Sequence, residues 1–355
     1  MTTAAAFSFP LARRRRTVAF WLLTVAAVIL AMITVGGLTR ITGSGLSITE
    51  WDPIMGAIPP ISDAAWQDAF EKYQRIPQYA HEHAGMTLDA FKGIYWWEWA
   101  HRLLGRLLGV IFFVPFVLFA WIGAIRRAEW PRMLLLFALG GLQGFVGWWM
   151  VESGLETRVS VSQYRLAIHL GVALVLLVAI LWTALEYLRL PHDEDVKALR
   201  REYGVAWPIV IALLVYFQML LGALVAGLHA GYIYNTWPLM DGRLVPEDAL
   251  AQSPWWINFF ENPGMAQFDH RIGAYVIALA VFGLWWQERK LTLPKLAKRS
   301  GIALVHLTIF QIALGITTLL LQAPEFLAAL HQLTAALLLC TAIWHAFELR
   351  YAARA

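Results

Sequence analysis

The stretch Tyr95–Gly105, "YWWEWAHRLLG", crowds a carboxylate, an imidazole and a guanidinium at the mouth of a segment with no further charge between Arg106 and Arg126. Glu98 precedes His101 by three residues, so on a helix the two share a face one turn apart. Arg102 follows His101 directly, about 100° further around the helix. Three kinds of chemistry are within reach of this trio. His101 can ligate a metal, Glu98 can accept protons or stabilise positive charge, and Arg102 can bind an anion or snorkel to the headgroups.

The same grouping recurs downstream. "EWAHRLLGRLLG" from Glu98 aligns with "QFDHRIGAYVIA" from Gln267, so His101-Arg102 corresponds to His270-Arg271. "LQGFVGWW" from Leu142 aligns with "FQIALGIT" from Phe310, both reading Gln-x-x-x-Gly. "LAIHLGVA" from Leu166 aligns with "LAALHQLTAA" from Leu327, pairing His169 with His331. "TEWDPIMG" from Thr49 is echoed by "NTWPLMDG" from Asn235. The offsets of the three helical alignments, 169, 168 and 162 residues, drift by only a few positions. The chain therefore reads as two copies of one unit. One difference stands out: the place of Glu98 in the first copy is taken by the neutral Gln267 in the second.

The elements that must position these residues are membrane helices. Hydrophobic residues make up 59% of the 355 and charged residues 15%, too apolar for a soluble domain. A spanning helix needs about 20 apolar residues, and eight segments qualify, near 17–38, 98–125, 132–150, 164–188, 206–228, 267–287, 300–321 and 326–349. "RRRR" at Arg13–Arg16 resembles the basic end of a signal peptide, but the run after it is long and lacks a small-residue cleavage site, so a retained helix is expected. With the amino terminus inside, eighteen of twenty-eight basic residues fall on the inner side, Arg126, Arg127, Lys197, Arg200 and Arg201 among them. The outer side holds ten, with sixteen of twenty-four acids. Both termini are thus expected in the cytoplasm. The net charge of +4 reflects this asymmetry, and no polybasic groove with interleaved aromatics suggests a nucleic acid.

The expected fold is an all-α integral membrane protein of eight transmembrane helices in two parallel-repeat four-helix bundles. An amino-terminal half spans 1–190 with a long outer loop at 39–97, a cytoplasmic linker 191–204, and a carboxy-terminal half 205–355. In an up-and-down bundle the second and fourth helices are diagonal, so His101 faces His169, and His270 faces His331. Paired imidazoles across a bundle suit the axial positions of a haem iron. Gly105, Ala173, Ala274 and Ala335, one turn after each histidine, are small enough to clear space for a flat macrocycle. Small residues four apart also serve helix approach alone, and a lone histidine near a helix end is often merely hydrogen-bonded; the repetition in four equivalent places favours haem. Zinc fits less well, because the spacings are long and no cysteine accompanies them. His81, His83, His192, His229, His306 and His345 lack repeat partners and are assigned no ligand role.

In the outer loops, "SDAAWQDAFEKYQRIP" places Trp66, Ala69, Phe70 and Tyr73 on one face, with Pro77 stopping the run, and reads as a helix lying on the membrane surface. "SPWWINFFEN" in 229–266 suits the headgroup level. The single cysteine, Cys340, falls deep in the last helix and can form no intrachain disulfide.

Taken together, "GGLTRITGSGLSITEWDPIMGAIPP", "WWEWAHRLLGR", "VSQYRLAIHL", "NTWPLMDG", "QFDHR" and "LHQ" resemble the haem A synthase family along nearly the whole chain. The likeness is to its proteobacterial and mitochondrial branch, since the outer-loop cysteine pairs of the Bacillus-type enzymes are absent. The resemblance implies an inner-membrane oxidoreductase that hydroxylates the C8 methyl of haem O and carries it to a formyl group, giving haem A for cytochrome oxidase. It also implies Glu98 as the essential carboxylate, His101 and His169 around the substrate haem, and His270 and His331 around a permanent haem b. Arg102 and Arg271 are candidates for the propionates. Expected partners are membrane lipid, haem O synthase, cytochrome oxidase assembly factors and an electron carrier. Two other classes share parts of the pattern. A quinol-oxidising dihaem b carrier needs the four histidines but not a carboxylate in one half, and a secondary transporter places its ionisable groups nearer the midplane.

Overall fold

The computed structural model describes residues 11–52, 55–155, 158–189 and 206–351. The linker expected at 191–204, with Lys197, Arg200 and Arg201, lies outside the described residues, as do residues 1–10 and 352–355.

The helices in chain order are α1 Leu11–Ile41, α2 Asp63–Tyr73, α3 Pro77–Glu82, α4 Leu88–Trp121, α5 Trp130–Leu155, α6 Gln163–Arg189, α7 Ala206–Gly227, α8 Asn258–Glu261, α9 Pro263–Glu288, α10 Lys295–Leu320 and α11 Glu325–Arg350. Among the described residues there is one isolated β-bridge, Met240 to Arg243, and no strand. Eight helices, α1, α4, α5, α6, α7, α9, α10 and α11, are long and apolar enough to cross a membrane. Even α7, with 22 residues, reaches roughly 33 Å at the usual rise, enough for the hydrocarbon core.

The eight pack as two rings of four. In one, α1 and α5 each touch α4 and α6; in the other, α7 and α10 each touch α9 and α11. This leaves α4 diagonal to α6, and α9 diagonal to α11. The rings meet through α1 and α6 against α7 and α11. Those four inner helices supply much of the apolar core, including Val18, Leu22 and Val25 of α1, Leu174 and Leu177 of α6, Ile211 and Val215 of α7, and Leu339 and Ala342 of α11. α4 and α5 instead turn Val110, Val114, Leu135 and Phe145 outward. Apolar residues on the outside as well as the inside mark helices whose solvent is lipid.

Two elements differ from the sequence expectation. α4 begins ten residues before 98, because the Thr87 side chain accepts from the Ala90 N–H and caps a helix that projects beyond its apolar stretch. α2 forms, with Ser62 as its cap, but Trp66, Phe70 and Tyr73 are buried against Phe91 and Tyr95 of α4 and against Leu46. Its apolar face is thus covered by protein and not by membrane: the extended α4 offers it an aromatic surface, with Trp66 and Tyr95 edge to face at 4.9 Å. Pro77 does not terminate α2 but opens α3 at its first turn. The Tyr73 hydroxyl pairs with Nδ1 of His83 at 2.5 Å, and burial raises the phenol above its ordinary range. In the loop 229–266, Trp255 and Trp256 stay exposed.

Candidate haem-binding site

The diagonal helices bring the four repeat-equivalent histidines together as two pairs. His169, His270 and His331 are the seventh or eighth residue of α6, α9 and α11, and His101 sits further along α4 because that helix starts early. The rings of His270 and His331 stand 6.4 Å apart, centroid to centroid, and nearly perpendicular at 74°. His101 and His169 are likewise within electrostatic reach of each other. Two imidazoles held by one metal at about 2 Å from each ring nitrogen place their centroids roughly 6 Å apart, so the second pair has the spacing of axial ligands. Each side chain is half-buried, facing the space between helices. Among the described residues, no three His, Cys, Asp or Glu converge as a compact metal site needs.

Each ring is seated against a glycine on the neighbouring helix. A Cβ built on Gly36, Gly147, Gly222 or Gly315 would meet Cε1 of His101, His169, His270 or His331 at 2.6, 2.8, 3.2 and 2.8 Å. Only a residue without a side chain lets the imidazole lie this close to the helix backbone. One turn before the glycine, Nε2 of Gln143 lies 3.1 Å from Nδ1 of His169, that of Gln218 3.1 Å from His270, and that of Gln311 3.1 Å from His331. The Thr334 hydroxyl in turn donates to the Gln311 amide oxygen. The Gln-x-x-x-Gly spacing is therefore a histidine seat. Two seats were visible as repeat markers; the third, Gln218-x-x-x-Gly222, has the same spacing and went unremarked. The fourth is Met32-x-x-x-Gly36, which breaks the pattern.

One turn from His101, Glu98 is 3% exposed and fully engaged. Its Oε2 accepts from the Ser47 hydroxyl and the Ile48 N–H, both at 2.8 Å. Its Oε1 accepts from Nε and Nη2 of Arg102 at 3.0 and 2.6 Å. Arg102 then donates to the carbonyls of Ile48 and Glu50 at 2.7 and 2.9 Å. The second half repeats this clasp with reversed polarity. The Gln267 amide nitrogen donates to the carbonyls of Ala230 and Ile233 at 2.7 and 2.6 Å, and its oxygen accepts from Arg271 at 2.7 Å. Arg271 donates to the carbonyls of Tyr234 and Thr236. Two consequences follow. The loop echo around Thr49 and Asn235 is where these arginines dock, and the Glu/Gln difference matches donors in one loop and acceptors in the other. Proton acceptance by Glu98 requires one of its four contacts to open, so this geometry favours electrostatic and positioning work. Nε of Arg271 is buried without a partner, leaving one donor for an anionic group.

Three histidines assigned no ligand role are held in other contacts: His83 by Tyr73, His229 by Arg40 at 2.9 Å, and His345 between Glu288 and Ser300 at 2.8 and 2.9 Å.

Fold and site define a multi-pass helical membrane protein whose paired imidazoles face across two bundles. Comparison with known proteins makes this specific. Residues 19–343 match the COX15-CtaA family, described as cytochrome oxidase assembly protein. A heme A synthase of Parvibaculum lavamentivorans is 48% identical over 333 residues, covering 94% of each chain. Those of Caulobacter sp. strain K31 and Rhizobium meliloti are each 50% identical, covering 97% and 94% of this chain and 99% and 90% of their own. The chain belongs to the COX15-CtaA family.

Proposed function

We propose that this chain is an oxidoreductase of the haem A synthase type, which oxidises the C8 methyl of haem O to a formyl group by way of the hydroxylated haem. The name of its relatives supports the reaction. The observation that carries the assignment to residues is the pairing of four equivalent, glycine-seated histidines, with a carboxylate beside one pair and an amide beside the other. In this reading the two rings of helices are two copies of one unit. His101 and His169 hold the substrate haem, and His270 and His331 hold a permanent haem b with Arg271 toward a propionate. A haem b there, when bound, supplies one-electron exchange.

The residues around the substrate have separable tasks. His101 and His169 fix the macrocycle between α4 and α6. Glu98, with Arg102, pins the loop at Ser47–Glu50 over the end of α4 and places fixed charge beside the ring edge, where positive charge develops as electrons leave the methyl. The division between bundles is tested on purified protein from cells that supply haem O. His270→Ala or His331→Ala should lose haem b, while His101→Ala or His169→Ala should keep haem b and lose the bound haem O. Equal loss of haem b from all four variants rules the division out.

We further infer that both termini are cytoplasmic and the haem sites periplasmic, in a bacterial inner membrane, from the excess of Lys and Arg on the inner side. A reporter after Ala355 should then read as cytoplasmic and one near Pro77 as periplasmic; both on one side contradicts the arrangement. Haem O synthase, oxidase assembly factors and an electron carrier remain the partners this activity calls for.

A further inference from the structure

Three of the four histidine seats carry a glutamine one turn before the glycine, and the seat of His101 carries Met32. The consequence is visible at the ring: Nδ1 of His101 is buried and has no hydrogen-bond partner. A thioether is a weak acceptor and donates nothing, so it cannot replace the amide. Met32 instead packs toward Gly105, its Cε 3.6 Å from where a Cβ there would stand.

An imidazole that ligates iron through Nε2 carries its proton on Nδ1, and an acceptor at that proton fixes the ring and strengthens it as a donor. Gln143 and Gln218 are placed to act in this way. Their amide oxygens are buried without partners; a half-turn brings the Gln143 oxygen to Nδ1 of His169, and brings that of Gln218 to Nδ1 of His270 in exchange for its 2.7 Å bond to the His270 carbonyl. His169 and His270 thus have an acceptor in waiting, the Gln311 oxygen beside His331 is held instead by the Thr334 hydroxyl, and His101 has no amide at all.

Resting on the haem assignment above, we propose that Met32 makes His101 the weakly held, exchangeable ligand of the substrate haem, so that the first bundle releases its haem while the second retains its own. Met32, Gln143 and Gln218 are positioning residues in this scheme. A ligand without its acceptor is the poorer electron donor, so the haem bound by His101 is also the more easily reduced.

The test follows haem transfer from the loaded full-length protein to excess apomyoglobin, together with redox titration of each haem. The wild type should release haem in a fast phase from the first bundle and a slow phase from the second. Met32→Gln should slow the fast phase by roughly 10-fold or more, the usual scale for a partner behind a metal ligand, and lower the potential of that haem, leaving the slow phase unchanged. Gln218→Met should accelerate the slow phase by a similar factor and raise the potential of the second-bundle haem. Packing changes alone would not move the two potentials in these opposite directions. Unchanged rates and potentials in both variants overturn the proposal. If Met32→Gln does not accumulate, Gln143→Met decides: it must speed the fast phase, and an unchanged fast phase overturns the proposal. A wild type with neither haem O nor haem A in the first bundle would sink the functional reading instead, and the Gln218→Met arm still judges the role of the amide on the remaining haem.

Discussion

Glu98→Gln is expected to lower haem A formation by roughly 100-fold or more per haem-loaded molecule, the scale on which removing a fixed electrostatic group slows an enzyme. Two effects act together. The charge beside the substrate disappears, and an acceptor becomes a donor in a pocket built from donors: the Ser47 hydroxyl, the Ile48 N–H and Arg102 all point at the carboxylate. Whichever way the new amide turns, its NH2 faces an N–H or O–H, a mismatch that costs about 1–3 kcal/mol locally. The same amide is stable at Gln267 only because the carbonyls of Ala230 and Ile233 receive it. Ser47→Ala separates the two effects. It deletes one donor and keeps the charge, and should leave haem A formation within a few-fold of wild type. Extraction and chromatography of haems, normalised to bound haem, makes the comparison. Near-normal turnover in Glu98→Gln would remove the carboxylate from the mechanism and leave it as a clasp for the loop.

Gly315→Leu is expected to empty the second bundle of haem b without unfolding the chain. Even the Cβ of the new residue would stand 2.8 Å from Cε1 of His331 and 3.5 Å from both ring nitrogens, so the imidazole must leave the line toward His270. Overpacking of this kind costs about 1–3 kcal/mol, a tolerable loss for eight helices but a decisive one for ligand geometry. Gly109→Leu is the matched control, because nothing lies within 4 Å of a Cβ there and α4 presents that region to lipid. Haem b per purified chain should fall to near zero in the first variant and stay near wild type in the second. Full haem b in Gly315→Leu would show that His331 is not seated on this glycine when it binds.

Much of this was legible in the residues because membrane helices and internal repeats leave strong, long-range patterns. The eight spans follow from apolar length, and the histidine pairing follows from repeat position plus bundle geometry. What stayed hidden depends on backbone groups and on distant chain. Arg102 at four residues from Glu98 was readable as its partner; Ser47 and the Ile48 N–H, contributed by a loop some fifty residues earlier, were not. The docking of Arg102 and Arg271 on carbonyls selects no side chain, so the loop echo at Thr49 and Asn235 was visible while its purpose was not. α2 carried the periodicity of a surface helix, and amphipathicity alone does not say whether its apolar side meets lipid or Phe91 and Tyr95. The histidine seats sit between these extremes: the Gln-x-x-x-Gly spacing was in plain view, and its meaning required seeing that the glycine lies against Cε1 of the ring and the glutamine amide within reach of its nitrogens.

The most direct measurement of the central claim is haem A itself, extracted and identified by chromatography from the membranes of cells that make haem O but no haem A, with and without this chain. The account predicts that haem A, accompanied by its hydroxylated precursor, appears only when the chain is present, and disappears again with His101→Ala while haem b stays on the purified protein. Haem O left unchanged beside a chain fully loaded with haem b in both bundles would contradict it, and would mark the protein as an electron carrier.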